Sequence, residues 1–464
     1  MDINKKCKFI LIKIHQLCIY KNIQKDETFK SFYGFLQTLS KPVIDLQKLC
    51  NTYSDIYTSL VERYRFCNVP PYCDPWQHYI IEFILKDDNI FSRESQGRFM
   101  ANNNTINYYQ GVANDLKILK LIYDFNCTEM ENTMKEVLAR ANKAKLLDSS
   151  VTDIPLMSEL FAQNKNPVED GKPSHNGNMI KAMVHSNSWH EMVAALAEYY
   201  SRWGSGIFSK YNAFRWTRSN NKGNLLPIAE YDPITFDQLV GYELQRNIII
   251  ENTKQFLKGY PANNILLYGD RGTGKSSTVK ALLNMFWSEG LRLIEVPKQY
   301  LGDFAQLVKM LRYRIHKFIL FVDDLSFEDQ ETEYRDLKAI LEGGIEARPQ
   351  NVLLYATSNR RHLVKEYFSD NSDRFRDEVN EGDTIQEKLS LADRFGIKVT
   401  FTTPNQTEYL NIIDNLAKRR KLSIDRKTLH TKALQWAMQH NGRSPRTAKQ
   451  FIDQLEGQLL MKAK

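Results

Sequence analysis

Beyond Cys127 this 464-residue chain contains no cysteine. Its six thiols, Cys7, Cys18, Cys50, Cys67, Cys73 and Cys127, crowd the first third, and no two form a CxxC pair. That lopsided distribution excludes a secreted disulfide framework and implies free thiols in a reducing compartment. Long hydrophobic runs are also missing. The apolar run Phe9–Ile14 is interrupted by Lys13, is too short to span a bilayer, and is followed by no small-residue cleavage site. The expectation is a cytoplasmic protein with no membrane insertion. There is no HExxH zinc arrangement either, because His185 and His190, with Glu191, are not four residues apart.

What is present is ordinary for a globular chain, with 42% hydrophobic and 25% charged residues. This excludes a mainly disordered or collagen-like protein. The length suggests about three domains at ~150 residues each, with cores that need no disulfide or metal to fold. The net charge of +8 is an average of unlike parts. Residues 1–228 carry +5, residues 229–416 carry −6, and residues 417–464 carry +9. The basic C-terminal part permits a nucleic-acid or acidic partner without demanding one.

The texture changes along the chain. Up to about residue 228, apolar residues recur at spacings of three and four, as in Phe29–Leu60, Trp76–Leu85 and Met179–Tyr200, which predicts amphipathic helices. The polar stretch Gln163–Asn178 reads as a loop. Ser201–Trp216 alternates glycines and aromatics and reads as a turn or short hairpin packed by its rings. The rings of Trp203, Phe208, Tyr211, Phe214 and Trp216 could stack bases, but packing between the two halves fits them better.

From about Ala229, short apolar runs alternate with helical patterns. The runs are Ile265–Tyr268, Leu291–Val296, Phe318–Val322, Val352–Ala356 and Ile397–Phe401. Helical patterns at Ser276–Ser288, Asp303–Tyr313 and Tyr334–Glu342 separate them. Such alternation predicts an α/β domain with a parallel five-stranded sheet. Beyond Thr403 only helical patterns follow, with starts near Asn405, Asp425 and Ser444. The expected organisation is a mainly helical N-terminal domain (1–200), an aromatic and glycine connector (201–228), an α/β core (229–403) and a helical lid (404–464).

The sharpest motif opens the core. Gly269, Asp270, Arg271, Gly272, Thr273, Gly274, Lys275 and Ser276 fit GxxxxGK[ST], between an apolar strand and a helix that continues through Ser277. Glycines let the backbone curl around an anion without Cβ atoms in the way. Successive N–H groups and the helix N-terminus then face phosphates, Lys275 adds a positive charge, and the Ser276 hydroxyl can hold Mg²⁺. The pattern predicts nucleotide binding.

Four further positions fit the same chemistry. The strand Phe318–Val322 ends in Asp323-Asp324, where open α/β sheets place ligands. Asp323 would hold Mg²⁺ through water. Asp324 would activate the attacking water, with Glu328 near enough in sequence to compete. Asn359 ends the strand after that and could bond the γ-phosphate or the water. Arg394 precedes the last core strand and is either a structural ion-pair residue or a transition-state finger, with Arg374 and Arg376 as rivals. Arg446 lies in the first turn of the last helix, after Gly442, Ser444 and Pro445, which fit an entering turn, an N-cap and a first helical residue. A cation there opposes the helix dipole, which suggests an anionic partner. Arg443 is the alternative.

In order and spacing these elements resemble an AAA+ ATPase. Gly269–Ser276 match Walker A, Asp323-Asp324 match Walker B, Asn359 matches sensor 1, Arg394 the arginine finger and Arg446 sensor 2. Phe236–Gln245 is similar to the segment leading into such cores, which implies that Val240 and Gly241 border the adenine. Residues 200–464 look like a bacterial family of uncharacterised AAA+ ATP-binding proteins. The resemblance implies ATP and Mg²⁺ as ligands and assembly into a homo-oligomer. It names no macromolecular partner. Many AAA+ members carry Asp-Glu in Walker B. The shorter Asp324 here implies slow or partner-stimulated hydrolysis. The expected function is an Mg²⁺-dependent ATPase that remodels a protein or nucleic-acid partner. The alternatives are an ATP-gated binding switch and a nucleic-acid loader. For the loader, the cluster Lys418-Arg419-Arg420-Lys421 would touch DNA, unless it is only a solvated helix end.

Overall fold

The computed structural model describes residues 2–64, 73–96, 108–143, 154–157, 177–219, 222–326, 337, 341, 349–359, 392–440 and 442–462. Cys67, most of the Gln163–Asn178 stretch, Glu328, most of Tyr334–Glu342, Arg374, Arg376 and Asn441 lie outside these residues. The chain divides into two units, Met1–Lys210 and Tyr211–Lys464.

The first unit is helical. Its helices are α1 (Ile3–Ile14), α2 (Glu27–Leu39), α3 (Leu46–Tyr64), α4 (Pro75–Lys86), α5 (Ile90–Gln96), α6 (Tyr109–Asp124), α7 (Cys127–Lys143), α8 (Gly177–His185), α9 (Val193–Trp203) and α10 (Ile207–Lys210). Their apolar stripes bury an aromatic core that includes Phe29, Phe32, Trp76, Tyr79 and Trp189. Two aspartates start helices and tie them to others. Asp26 accepts from the N–H of Thr28 (3.0 Å) in α2 and from the Tyr79 hydroxyl (2.8 Å) in α4. Asp74 caps α4 through Gln77 N (2.8 Å) and also accepts from Cys127 N (2.9 Å) at the start of α7. The single helix expected over Met179–Tyr200 is instead two, α8 and α9. The Ser186-Asn187-Ser188 break explains this, since such side chains bond nearby backbone and compete with the helix. Here the Ser186 hydroxyl accepts from Ser188 N at 3.2 Å.

A wholly buried carboxylate pins the first loop. Asp115 on α6 accepts from the N–H groups of Cys18 (3.0 Å), Ile19 (2.7 Å) and Tyr20 (2.9 Å). Burial pushes its carboxyl upward, and the three donors push it back. Asp115→Ala strands all three donors, so we expect a loss of about 3 kcal/mol in the stability of this unit. Asp115→Asn keeps an acceptor and should lose less. Urea unfolding followed by far-UV circular dichroism measures both.

The second unit is built on a seven-stranded sheet in the order β2-β1-β4-β5-β6-β3-β7. The strands are β1 (Ala213–Ser219), β2 (Lys222–Ile228), β3 (Ile265–Gly269), β4 (Leu291–Glu295), β5 (Lys317–Val322), β6 (Val352–Ser358) and β7 (Ile397–Phe401). β4, β5, β6, β3 and β7 are mutually parallel and coincide with the five apolar runs of the sequence. Helices α11 (Glu243–Leu257), α12 (Lys275–Phe286) and α13 (Phe304–Leu311) belong to this layer.

The sheet exceeds the expected five strands because the Gly-aromatic stretch continues into it. β1 runs parallel to β4, and β2 returns antiparallel beside it. Strand alternation buries Phe214 and Trp216 and leaves Arg215 exposed. The Trp216 indole donates to Asp303 at 2.8 Å. Its ring lies over Gly223, where a Cβ would come within 2.0 Å of the ring. Glycine at 223 is therefore what admits the tryptophan. Phe208, Phe214 and Trp216 are all buried, which removes them as base-stacking platforms.

Three helices close the chain: α14 (Gln406–Arg419), α15 (Arg426–Gln439) and α16 (Pro445–Lys462). Asn405 caps α14 through Glu408 N (2.9 Å), Asp425 caps α15 through Thr428 N (3.0 Å), and Ser444 accepts from Thr447 N (3.1 Å). These are the starts expected from the sequence. Their shared core contains Tyr409, Ile412, Ile413, Leu429, Phe451 and Ile452.

Candidate functional site

The carboxyl ends of β3, β5 and β6 meet at one end of the sheet, and a cleft of about 930 Å³ opens there. Its walls are the loop after β3, the segment 238–242, and residues of α14 and α16.

The loop after β3 has the shape its glycines require. Gly269, Gly272 and Gly274 have φ of +133°, +77° and +93°. A Cβ on Gly269 would sit 2.0 Å from the carbonyl oxygen of Phe401, so no other residue fits. At Gly272 a Cβ would meet the Ser444 hydroxyl at 3.0 Å. Gly272 also accepts from Arg446 N at 3.2 Å, which docks the start of α16 on the loop. Thr273 is buried and donates to the Asp270 carbonyl at 2.8 Å.

Asp270 clasps the far side. Its carboxylate accepts from Thr403 N (2.6 Å) and the Thr403 hydroxyl (2.7 Å), just after β7. Those two bonds hold the Asp270 carboxyl below its usual range. The clasp is thus complete above the ordinary carboxylate range and is lost as pH falls through the lowered value.

Lys275 is buried. Its Nζ donates to the carbonyls of Gly269 (2.9 Å) and Asp270 (2.7 Å) and to Asn359 Oδ1 (3.1 Å). Burial pushes this amine down, and the carboxylates of Asp270, Asp324 and Asp323 oppose that shift. Ser276 Oγ donates to Asp323 Oδ1 at 2.6 Å. The Asn359 amide donates to Asp324 Oδ1. Lys275, Asn359 and Asp324 therefore form one chain of hydrogen bonds, next to the Ser276–Asp323 pair.

Asp324 has φ of +51°, a left-handed conformation that Asp tolerates better than most residues. Thr357 holds it there. Its hydroxyl accepts from Asp324 N at 2.9 Å and donates to Asp323, and its carbonyl accepts from Leu325 N at 2.7 Å. Sequence reasoning passed over Thr357. The signal was available, because Thr357 lies two residues before Asn359 and alternate strand residues share a face.

Of the residues singled out in the sequence, Val240, Gly241, Arg271, Gly272, Thr273, Gly274, Lys275, Ser276, Ser277, Asp323, Asp324, Asn359 and Arg446 all line the cleft. Gly269 and Asp270 shape it from beneath. Arg394 does not line it. It ends a 3₁₀ turn (Ala392–Arg394) before β7, whereas the loop docks at the other end of that strand, on Phe401. About 13 Å of strand separates Ile397 from Phe401. In the basic cluster, Arg419 and Arg420 line the cleft, and Arg420 is paired with Asp453 and Glu456 on α16. Arg246 and Tyr242, also lining the cleft, were not foreseen. The Tyr242 hydroxyl donates to Thr402 O at 2.6 Å. No group of three or more metal-binding side chains occurs among the described residues. None of their helices is long and apolar enough to cross a membrane.

Among solved structures, the chain is similar to the Thermotoga maritima RuvB Holliday junction branch migration motor, at 17% identity and a TM-score of 0.35, covering 50% of this chain and 67% of that one. A mutant of the same protein gives 18% identity and a TM-score of 0.36, with coverage of 50% and 68%. No curated protein matches. Residues 209–459, more than half of the chain, match the family described as "Protein of unknown function (DUF815)". The chain belongs to the DUF815 family.

Proposed function

We propose that this protein is an ATPase that binds Mg²⁺–ATP in the cleft, and that movement of the lid helices against the core remodels a macromolecular partner. The observation that carries this reading is the convergence of three devices on one cavity. These are the glycine loop with Lys275, the Ser276–Asp323 pair, and Arg446 at the start of α16. Seven cations and two carboxylates line that cavity, and even with Arg420 paired to Asp453 and Glu456 the balance suits a polyphosphate.

The donor set also fits the metal. Mg²⁺ retains waters and takes one or two protein oxygens besides phosphate. Ser276 and Asp323 supply one hydroxyl and one carboxylate, already 2.6 Å apart. When bound, Mg²⁺ neutralises charge on the phosphates. The remaining steps belong to the chain. Loop N–H groups and Lys275 bind the phosphates. Asn359 orients the attacking water, Asp324 takes its proton, and Arg446 reports the nucleotide to the lid.

Arg394 acts as a finger only on the nucleotide of a second copy, because its own cleft opens at the other end of β7. Turnover per protomer should therefore rise several-fold from dilute to concentrated protein. A flat profile would remove Arg394 from catalysis.

One observation favours a second reading, an ATP-gated switch with slow hydrolysis. Asp324 is a methylene shorter than glutamate, and it is already engaged by Asn359. In that case partner capture should fail in Lys275→Ala and persist longer in Asp324→Asn. Equal capture by both variants would exclude the switch.

A further inference from the structure

We propose that the groove between α1 and α2 in the helical unit is a docking site for an acidic protein segment that carries an apolar anchor. As a recruitment site it rests on the remodelling reading above, whose partner it describes by its chemistry.

Residues 3–25 contain six lysines and no acidic residue, and no arginine precedes Arg63. The fold turns part of that charge into one concave site. Asn4 Nδ2 donates to the carbonyls of Ser40 and Lys41, each at 2.9 Å. His15 Nε2 lies 2.9 Å from the Tyr33 hydroxyl. The start of α1 thus meets the end of α2, and the end of α1 meets the middle of α2, so the two helices are antiparallel. From Asn4 to His15 the helix rises about 16 Å. Along this stretch runs a groove of about 600 Å³. Lys8, Leu11 and Ile12 line it from one face of α1, and Tyr33 and Gln37 line it from α2.

The groove carries charge of one sign. Lys8, Lys41 and Lys48 line it, and no carboxylate among the described residues does. Neighbouring lysines are already paired, Lys6 with Glu129 and Lys30 with Glu27 (2.6 Å). Lys8, Lys41 and Lys48 are exposed and make no ion pair among the described residues. Asp45, three residues before Lys48, is turned to the start of α3, where it accepts from Lys48 N at 3.0 Å. Like charges around one recess repel, and an entering carboxylate relieves that repulsion. The floor is apolar. Leu11 and the Tyr33 ring are half-buried and Ile12 is 61% exposed, so an apolar side chain seated there removes surface from water on both partners.

The same chemistry favours a protein over a phosphate-bearing ligand. A phosphodiester is best met by the arginine fork, which this region lacks. Base stacking needs an open ring, and the Tyr33 ring is met edge-on by His15. A bilayer surface takes a projecting apolar face, whereas here Gln37, Ser40 and buried Thr38 wall a recess.

The test uses the full chain without nucleotide and a labelled peptide of about 12 residues, long enough as a helix to exceed the groove, with two leucines among glutamates. Fluorescence anisotropy reads binding. Wild type should bind the peptide, more weakly as salt rises. Lys8→Glu with Lys41→Glu should weaken binding at least tenfold, and Ile12→Ser several-fold. Lys21→Glu with Lys25→Glu makes the same charge change on exposed lysines outside the groove and should stay within twofold. Serines in place of the peptide's leucines should weaken it several-fold, and lysines in place of its glutamates should abolish binding. If a charge pair does not fold, Ile12→Ser and the altered peptides decide the matter. No binding by wild type at millimolar peptide, equal loss in the two charge pairs, or equal binding of the serine peptide would overturn the proposal. So would tighter binding of a single-stranded oligonucleotide or of phosphatidylserine vesicles that Lys8→Glu with Lys41→Glu abolishes. Lys275→Ala should bind the peptide like wild type. If the peptide binds as expected and ATP does not, the groove stands and the remodelling reading falls.

Discussion

Asp324→Asn should cut ATP turnover by about 10²–10⁴-fold, the usual contribution of a positioned general base, while the protein still binds ATP. The substitution isolates proton transfer. Asparagine tolerates the left-handed φ of +51° as well as aspartate does. Its carbonyl oxygen can still accept from the Asn359 amide, and its backbone N–H can still meet the Thr357 hydroxyl. The negative charge and with it the capacity to take a proton are removed. Phosphate release and nucleotide retention, measured together, report the two halves of the expectation. Wild-type turnover in this variant would transfer the role to another carboxylate, with Glu328 as the sequence rival. Thr357→Val would show a related but smaller defect, because it loosens the turn without removing the carboxylate.

Lys275→Ala should weaken ATP by roughly 100-fold, about 2–3 kcal/mol for a lost charge-assisted contact in a buried site. The lysine already has a fixed direction. It is drawn onto the carbonyls of Gly269 and Asp270 and onto Asn359, at the centre of the loop. A phosphate entering the loop would replace neutral acceptors with charged ones around a desolvated amine. That gain is what the alanine variant forfeits. Lys275→Arg should also bind poorly, since the bulkier planar head cannot take the place of an ammonium buried on the carbonyls of Gly269 (2.9 Å) and Asp270 (2.7 Å). Equilibrium dialysis with labelled ATP resolves both variants.

Much of the core was legible because its signals are local. The five buried parallel strands are continuous apolar runs, and the glycine loop must follow one of them. The lid helices were legible from their caps, Asn405, Asp425 and Ser444, each of which bonds a backbone N–H as its type prefers. The hairpin of β1 and β2 was not, because β1 pairs with β4 across about eighty residues of chain, and within the hairpin the Trp216 ring is admitted by one glycine, Gly223. The break between α8 and α9 was masked by an apolar period that continues across it. In the site, the residues that contact ligand chemistry directly could be read from motifs. Those that act through them could not. Arg246 bonds backbone carbonyls and Thr403 bonds the Asp270 carboxylate, partners made neighbours by the fold, and neither side chain matches a spacing rule. Arg420 shows the converse. It reads as part of a basic surface cluster, yet Asp453 and Glu456 neutralise it from a helix that follows later in the sequence.

The central claim is that one cleft takes ATP with its metal. Calorimetric titration of the full chain with ATP, in Mg²⁺ and again in excess EDTA, measures it directly. One ATP per chain is expected, with affinity falling clearly when the metal is chelated, since Ser276 and Asp323 then lose their shared partner. No binding at millimolar ATP, or binding indifferent to both Mg²⁺ and Lys275→Ala, would contradict it.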